Sequence, residues 1–379
     1  MARIRRTTQP PLADALLALN AAPLPRSSIC RLALEAEAWI EDSGADKGAL
    51  AAELGVPARA LATARLAVRA AAAVADAERG AAAAAGARVL TRLDADYPPA
   101  LRHLPLPPPV LYCRGELPSA FADEAPAAVA IVGSRHPSAY GREAAWLFGR
   151  DLARAGVVVV SGFARGVDAA AHRGALAGGG ATVGVLGCGI DYAYPAEHHP
   201  ALAAEVAAQG ALLSELPLGT PPRKQHFPIR NRLIAAITRA TLVVEAAKRS
   251  GSLITARCAL DLGREVLALP GRIFDDTAMG TNALLADGAR PALHPCDVLA
   301  ALGLDGRLDG APEATDAPPP LPGLGARLWE AMPAGAVRGA DELAERCAAA
   351  IDEVLAELLE LELAGWIARL PGPVYCRRA

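Results

Sequence analysis

The sequence predicts an α/β protein centred on a doubly wound parallel sheet, and three observations carry that expectation. Six short apolar runs fall between residues 128 and 271, near-continuous rather than alternating, as in strands buried on both faces. Glycine-bearing turns follow them. Helical patterns of about ten to fifteen residues separate them, which is the alternation of a parallel sheet covered by helices.

Taken in order, the chain opens with residues 1–87, rich in alanine, leucine and arginine. Segments such as LAVRAAAAVADAERGAAAAA have helical periodicity and no convincing strand, so a small helical domain is expected. The strand runs follow: AVAIVG (128–133), VVVVSG (157–162), TVGVLG (182–187), ALLSE (211–215), TLVVEA (241–246) and EVLALPG (265–271). They define a sheet domain over 88–302. Residues 303–322 are rich in Pro, Gly, Asp and Ala without a period and read as a linker. Beyond it, LGARLWEAM, ADELAERCAAA and IDEVLAELLELELAG read as three helices, and WIARLPGPVYCRR as two short strands around a Leu-Pro-Gly-Pro turn. Three helices and a β-wing make a winged helix over 323–379.

Composition narrows the function classes. With 379 residues, 53% of them apolar and 21% charged, the chain is an ordinary multi-domain globular protein. No run approaches the length of a membrane span, and Asp14 and Asn20 interrupt the amino-terminal apolar stretch, which argues against a signal peptide. The seven cysteines, at 30, 113, 188, 258, 296, 347 and 376, are scattered and odd in number, so neither a disulfide framework nor a zinc site is expected. A cytoplasmic location fits. The net charge of -3 conceals a basic stripe: Arg223, Lys224, Arg230, Arg232, Arg239, Lys248, Arg249 and Arg257 stand against Glu245 alone.

Several unusual residues fall on loops after strands, where an open parallel sheet binds its ligands. Gly133-Ser134-Arg135 follows the first run. The second precedes Phe163-Ala164-Arg165-Gly166, and the fifth precedes Lys248-Arg249-Ser250-Gly251-Ser252. Each pairs small residues with a cation or hydroxyl able to hold a phosphate oxygen. Alone, each is an ordinary tight turn or helix cap, and Arg230 and Arg232 alone would be a solvated helix face. Together with Lys224 and Phe227 in KQHFPIRNRL they point to an extended polyanion.

No catalytic set assembles. GCGIDY lacks the last glycine of a dinucleotide fingerprint, and there is neither a Walker loop nor a nucleophile elbow. His198 and His199 are adjacent, poor geometry for a metal. Cys188 reads as a buried small residue, and Asp168 and His172 as groups that stabilise their own helix. No cofactor, metal or catalytic residue is expected.

The ordered series GSRHPSAYG, SGFARGVDAAAH, GVLGCGIDYAYP, SELPLG, HFPIRNRLIA, VVEAAKRSGSLITA, PGRI and GTNALLADGA resembles the DNA-processing protein A (DprA, or Smf) family over about 95–300. The resemblance implies an extended Rossmann-like domain, an amino-terminal helical domain like a sterile alpha motif, and a carboxy-terminal winged helix. It further implies a homodimer that binds single-stranded DNA without sequence preference, protects it and loads the RecA recombinase in natural transformation. Carried onto this chain by motif, Arg135 and Lys224 are the backbone contacts, with Ser134, Ser250, Gly251 and Ser252 as loop donors; the expected DNA contacts also include Gly133, Arg165, Phe227, Arg230, Asn231, Arg232 and Arg249.

Two departures stand out. Tyr194-Pro195-Ala196-Glu197-His198-His199 lacks a lysine that many relatives place after Tyr-Pro, and the third helix of the winged helix is acidic, which suits a protein contact better than duplex reading. The rival reading is a Rossmann-like phosphoribohydrolase, a nucleotide-processing enzyme, but PGRIFDDTAMGTNALL lacks that class's paired glycines and glutamate.

Overall fold

All six apolar runs fold as strands. The computed structural model describes residues 10–41, 47–196, 199–304, 321, 323–333, 337–363, 366–370 and 374–377. By spatial proximity the chain forms two units, Met1–Leu308 and Asp309–Ala379.

Among the described residues of the first unit, six helices come first: α1 (Leu12–Ala21), α2 (Arg26–Leu34), α3 (Ala36–Glu41), α4 (Lys47–Glu53), α5 (Ala58–Arg69) and α6 (Ala71–Ala84). Next come β1 (Arg88–Thr91), α7 (Pro99–Arg102) and β2 (Val110–Gly115). The wound region then runs β3 (Ala128–Val132), α8 (Ala139–Arg154), β4 (Val158–Ser161), α9 (Val167–Ala177), β5 (Thr182–Val185), α10 (His199–Gln209), β6 (Ala211–Ser214), α11 (His226–Ala236), β7 (Ala240–Val243), α12 (Gly251–Asp261) and β8 (Glu265–Ala268). It closes with α13 (Met279–Ala286), β9 (Arg290–Pro291) and α14 (Pro295–Leu302).

The nine strands form one sheet in the order β1-β2-β6-β5-β4-β3-β7-β8-β9. From β6 to β9 every pairing is parallel, while β2 runs antiparallel to both β1 and β6. The antiparallel extension and β9 are absent from the sequence expectation. Val110–Cys113 is wholly buried, yet a proline-rich lead-in disguises it as loop. β1 continues almost directly from α6, and β9 is two residues long.

The continuous apolar runs pack on both faces: every residue of β3, β4, β5, β6 and β7 is buried. Helices α8, α9 and α14 close one side through Ala145, Phe148, Leu152, Val167, Ala171 and Val298. On the other side, Leu233, Ile234 and Ile237 pack from α11 and the residue after it, and Ala256 and Ala259 pack from α12. The amino-terminal helices join the sheet apolar to apolar, since Leu16, Trp39 and Leu61 share a cluster with Tyr112, Phe163 and Leu212.

The second unit holds α15 (Leu324–Ala331), β10 (Val337–Gly339), α16 (Ala340–Cys347), α17 (Ile351–Leu363), β11 (Ile367–Leu370) and β12 (Val374–Arg377). Its sheet order is β10-β12-β11, so a third short strand joins the expected wing pair. Leu328, Trp329, Leu343, Val354, Leu358 and Ile367 form its core. The expected wing turn lies outside the described residues, as do most of the expected linker, Glu197 and His198.

Candidate nucleic-acid interface

Strand β3 has β4 on one side and β7 on the other, so the winding reverses there and a crevice opens at the carboxyl ends of these strands. A cleft of 570 Å³ occupies it. Gly133 and Arg135 line it from the loop after β3, Gly162 from the loop after β4, Lys224 from the approach to α11, Phe227 from the first turn of α11, and Ser250 and Gly251 from the start of α12.

The loop after β3 is held by its own backbone. Ser134 N–H donates to the Glu245 carbonyl at 2.7 Å, and the Ser134 carbonyl accepts from Val167 N–H at 3.1 Å. Both backbone groups therefore face the protein, and the next side chain, Arg135, stands exposed. Its guanidinium lies 4.9 Å from the centre of the Phe227 ring, a cation-π distance. Tyr194 tilts against the same ring at 5.8 Å. Gly187 lets the ring in, because a Cβ there would lie 2.8 Å from Phe227 Cδ1.

Beneath this layer is a buried polar floor. Arg230, 4% exposed, donates through Nη1 to the carbonyls of Gly162 and Val185, tying α11 to the ends of β4 and β5. Asp168 accepts from Ala164 N–H at 3.2 Å and lies in the field of Arg230. Burial pushes its carboxyl up from the ordinary value, ahead of the lowering by Arg230, and burial likewise lowers Arg230 to about 10. The floor thus consists of charges that hold loops together.

At the far wall, Ser250 caps α12 by accepting from Ser252 N–H at 3.3 Å, and its hydroxyl lies 2.7 Å from that of Ser252. Asn231 donates to the Gly251 carbonyl at 3.2 Å, joining α11 to that cap. The start of α12 therefore presents its N-terminal end to the cleft.

Of the sequence-predicted residues, Gly133, Arg135, Lys224, Phe227, Arg230, Asn231, Ser250, Gly251 and Ser252 line this one cleft. Arg165 and Arg249 are exposed on the loops beside it, and Ser134 is half-buried and outside the lining. Arg232 turns away: its Nη2 donates to Glu215 at 2.6 Å, and Arg26 of α2 reaches the same carboxylate oxygen at 3.3 Å.

Sequence reading missed Asp168 and Tyr194 as cleft residues and gave Glu215 no role. A buried carboxylate leaves no local signature, since its partners come from distant elements. Asp168 and His172 are also less alike than their spacing suggests. His172 is fully buried, with Nδ1 2.7 Å from Thr182 Oγ1, while Asp168 faces the cleft. Cys188 is buried and its thiol is pushed up to about 11, chiefly by burial, so it is a poor nucleophile. Among the described residues no group of three His, Cys, Asp or Glu could hold a metal, and no helix is long and apolar enough to cross a membrane.

Comparison with known proteins agrees with this architecture. The sequence model for DNA recombination-mediator protein A matches residues 88–303, and that for the DprA winged helix domain matches 312–373. Protein Smf of Escherichia coli is 42% identical over 292 residues, 75% of this chain and 76% of the relative. The DNA processing protein DprA of Bacillus subtilis is 40% identical over 194 residues, 51% of this chain and 64% of the relative. The X-ray structure of DNA processing protein A from Streptococcus pneumoniae superposes with a TM-score of 0.64 at 30% identity, covering 77% of this chain and 98% of that one. For the Helicobacter pylori protein, whose structure addresses its single-stranded DNA binding mode, the TM-score is 0.51 at 32% identity, with 57% and 97% covered. The first match spans more than half the chain and includes every loop of the cleft, so this chain belongs to the DNA recombination-mediator protein A family.

Proposed function

We propose that the cleft binds single-stranded DNA without sequence preference, and that the protein protects incoming strands and delivers them to the RecA recombinase during natural transformation. One observation carries this: two exposed cations, Arg135 and Lys224, line one cleft with a partly accessible aromatic ring, Phe227. Cations follow a phosphate backbone, while a ring stacks on any base, the combination that tolerates every sequence. The amide that could read a base edge, Asn231, is committed to a backbone carbonyl.

Arg135, Lys224 and Phe227 meet the strand first. Gly133, Ser134, Ser250, Gly251 and Ser252 supply close backbone and hydroxyl approach, Arg165 and Arg249 flank the path, and Arg230, Asn231 and Arg232 fix helix α11 from below. The protein works in the cytoplasm as a homodimer and is not an enzyme. Its division is a helical domain over 1–87, a binding domain over 88–302, a linker over 303–322 and a winged helix over 323–379 that contacts protein rather than duplex. The relatives named for DNA processing and the Helicobacter pylori protein's binding mode support this reading.

The test is fluorescence anisotropy of the whole protein with a labelled oligo-dT strand and the matching duplex across a salt series, beside Arg135→Glu and Lys224→Glu. Salt-sensitive preference for the single strand, lost in both variants, is expected. Equal binding by variants and parent would remove the cleft as the DNA site.

A further inference from the structure

The winged-helix unit carries an unusual outer surface on its third helix. Val354, Leu358 and Leu361 of α17 point into the core and are 0%, 0% and 2% exposed. Ile351, Leu355 and Leu359, by contrast, are 42%, 42% and 55% exposed. A spacing of four residues sets these three along one side of the helix, a stripe about 12 Å long at the rise of an α-helix. Asp352 and Glu362 flank it, Glu353, Glu357 and Glu360 stand farther round the helix, and α17 contains no lysine or arginine.

In a duplex-reading winged helix this surface would enter the major groove, where phosphates line both walls. Carboxylates at five positions would be repelled there, and branched apolar side chains would gain little from the polar edges of the bases. Among the described residues, the nearby arginines are engaged elsewhere. Arg338 and Arg346 both reach Glu342, at 2.7 and 3.6 Å, Arg327 donates to the Cys347 carbonyl, and Arg377 stacks on Trp329 at 4.1 Å.

We propose that α17 docks an amphipathic, basic helix of a partner protein, its leucine-type residues against Ile351, Leu355 and Leu359 and its lysines and arginines against Asp352 and Glu362. The stripe fits apolar residues at every third and fourth position of such a helix, the helix-against-helix mode of recognition. The acidic fringe sets the sign of the partner: an acidic helix would meet like charge, and a neutral one would leave the carboxylates without a counterpart. This inference rests on the reading that the winged helix contacts protein, and it adds the partner's chemistry.

The test uses the full chain and a synthetic helical peptide of about 18 residues, with leucines at every third and fourth position and lysines and arginines elsewhere. Binding is followed by anisotropy, with an otherwise identical peptide bearing glutamates as control. The basic peptide is expected to bind and the acidic one not. The double variant Leu355→Ser, Leu359→Ser should weaken binding about tenfold or more. Both positions are exposed, so the variant's thermal midpoint should stay at the parent value, and Asp352→Lys, Glu362→Lys gives a second route to the same loss.

Absence of peptide binding, or binding unchanged in both variants, overturns the docking proposal alone. Self-association of the chain that the serine variant abolishes also overturns it, by making a second copy the occupant. Salt-sensitive duplex binding that depends on α17 overturns both this proposal and the protein-contact reading beneath it.

Discussion

Arg232 Nη2 donates to Glu215 Oε2 at 2.6 Å, and this bond links the helix carrying Phe227 to the end of strand β6. Arg26 completes a half-buried three-residue cluster by reaching the same oxygen from the amino-terminal helices. Two arginines thus share one carboxylate that is 2% exposed. Glu215→Gln leaves both without a counter-charge and should cost about 3 kcal/mol of stability. Chemical denaturation measures that loss, and limited proteolysis should show the amino-terminal helices released first. Arg232→Ala should likewise lower the unfolding midpoint more than it lowers affinity for single strands.

Removing the ring of Phe227 takes away a stacking surface and leaves the charges in place. Phe227→Ala should lose about 1 to 3 kcal/mol of binding to oligo-dT and to mixed-sequence strands alike. Equal losses across sequences in an anisotropy titration would mark stacking, whereas a loss confined to one base would mark readout.

Charge and shape separate in the salt dependence. Arg135→Gln and Lys224→Gln should each flatten the slope of log affinity against log salt by about 0.7, the value for one phosphate contact on a single strand. Gly187→Ala should weaken binding and leave that slope unchanged, because its Cβ would lie 2.8 Å from Phe227 Cδ1 and displace the ring without touching a charge.

His226 lies between Lys224 and Phe227. Burial holds its imidazole below the ordinary 6.5, with Arg223 and Arg26 lowering it further against the backbone bonds to Gly187 and Pro221 that raise it. The folded chain therefore takes up this proton less readily than the unfolded chain, and the contribution to stability falls as pH drops below 6.5. Bound phosphates act in the opposite direction by favouring imidazolium. Single-strand affinity should rise as pH falls from about 7.5 to about 5.5, and His226→Gln should flatten that rise.

The parallel core was legible because strands buried on both faces have no polar residues to interrupt them, so AVAIV and VVVV announce themselves. Val110–Gly115 is just as buried in its first four residues, but of its two partners β6 lies far along the chain, β1 follows a long helix, and prolines precede it. The glycine loops were legible for a related reason: tight turns and phosphate approach both demand small residues. Sequence could not separate Arg230 and Arg232 from Lys224, since all three belong to one basic stripe. Only the packing of α11 turns the first two inward, one onto the carbonyls of Gly162 and Val185 and the other onto Glu215.

Strand β9 ends the large sheet with two residues, Arg290 and Pro291, both exposed. Proline has no N–H to offer a further strand, and arginine places a charge at the same rim. In concentrated protein, sheets that meet edge to edge zip into fibrous aggregates. This rim gives a newcomer almost no ladder to extend, so crowding of the protein does not become irreversible clumping through that edge.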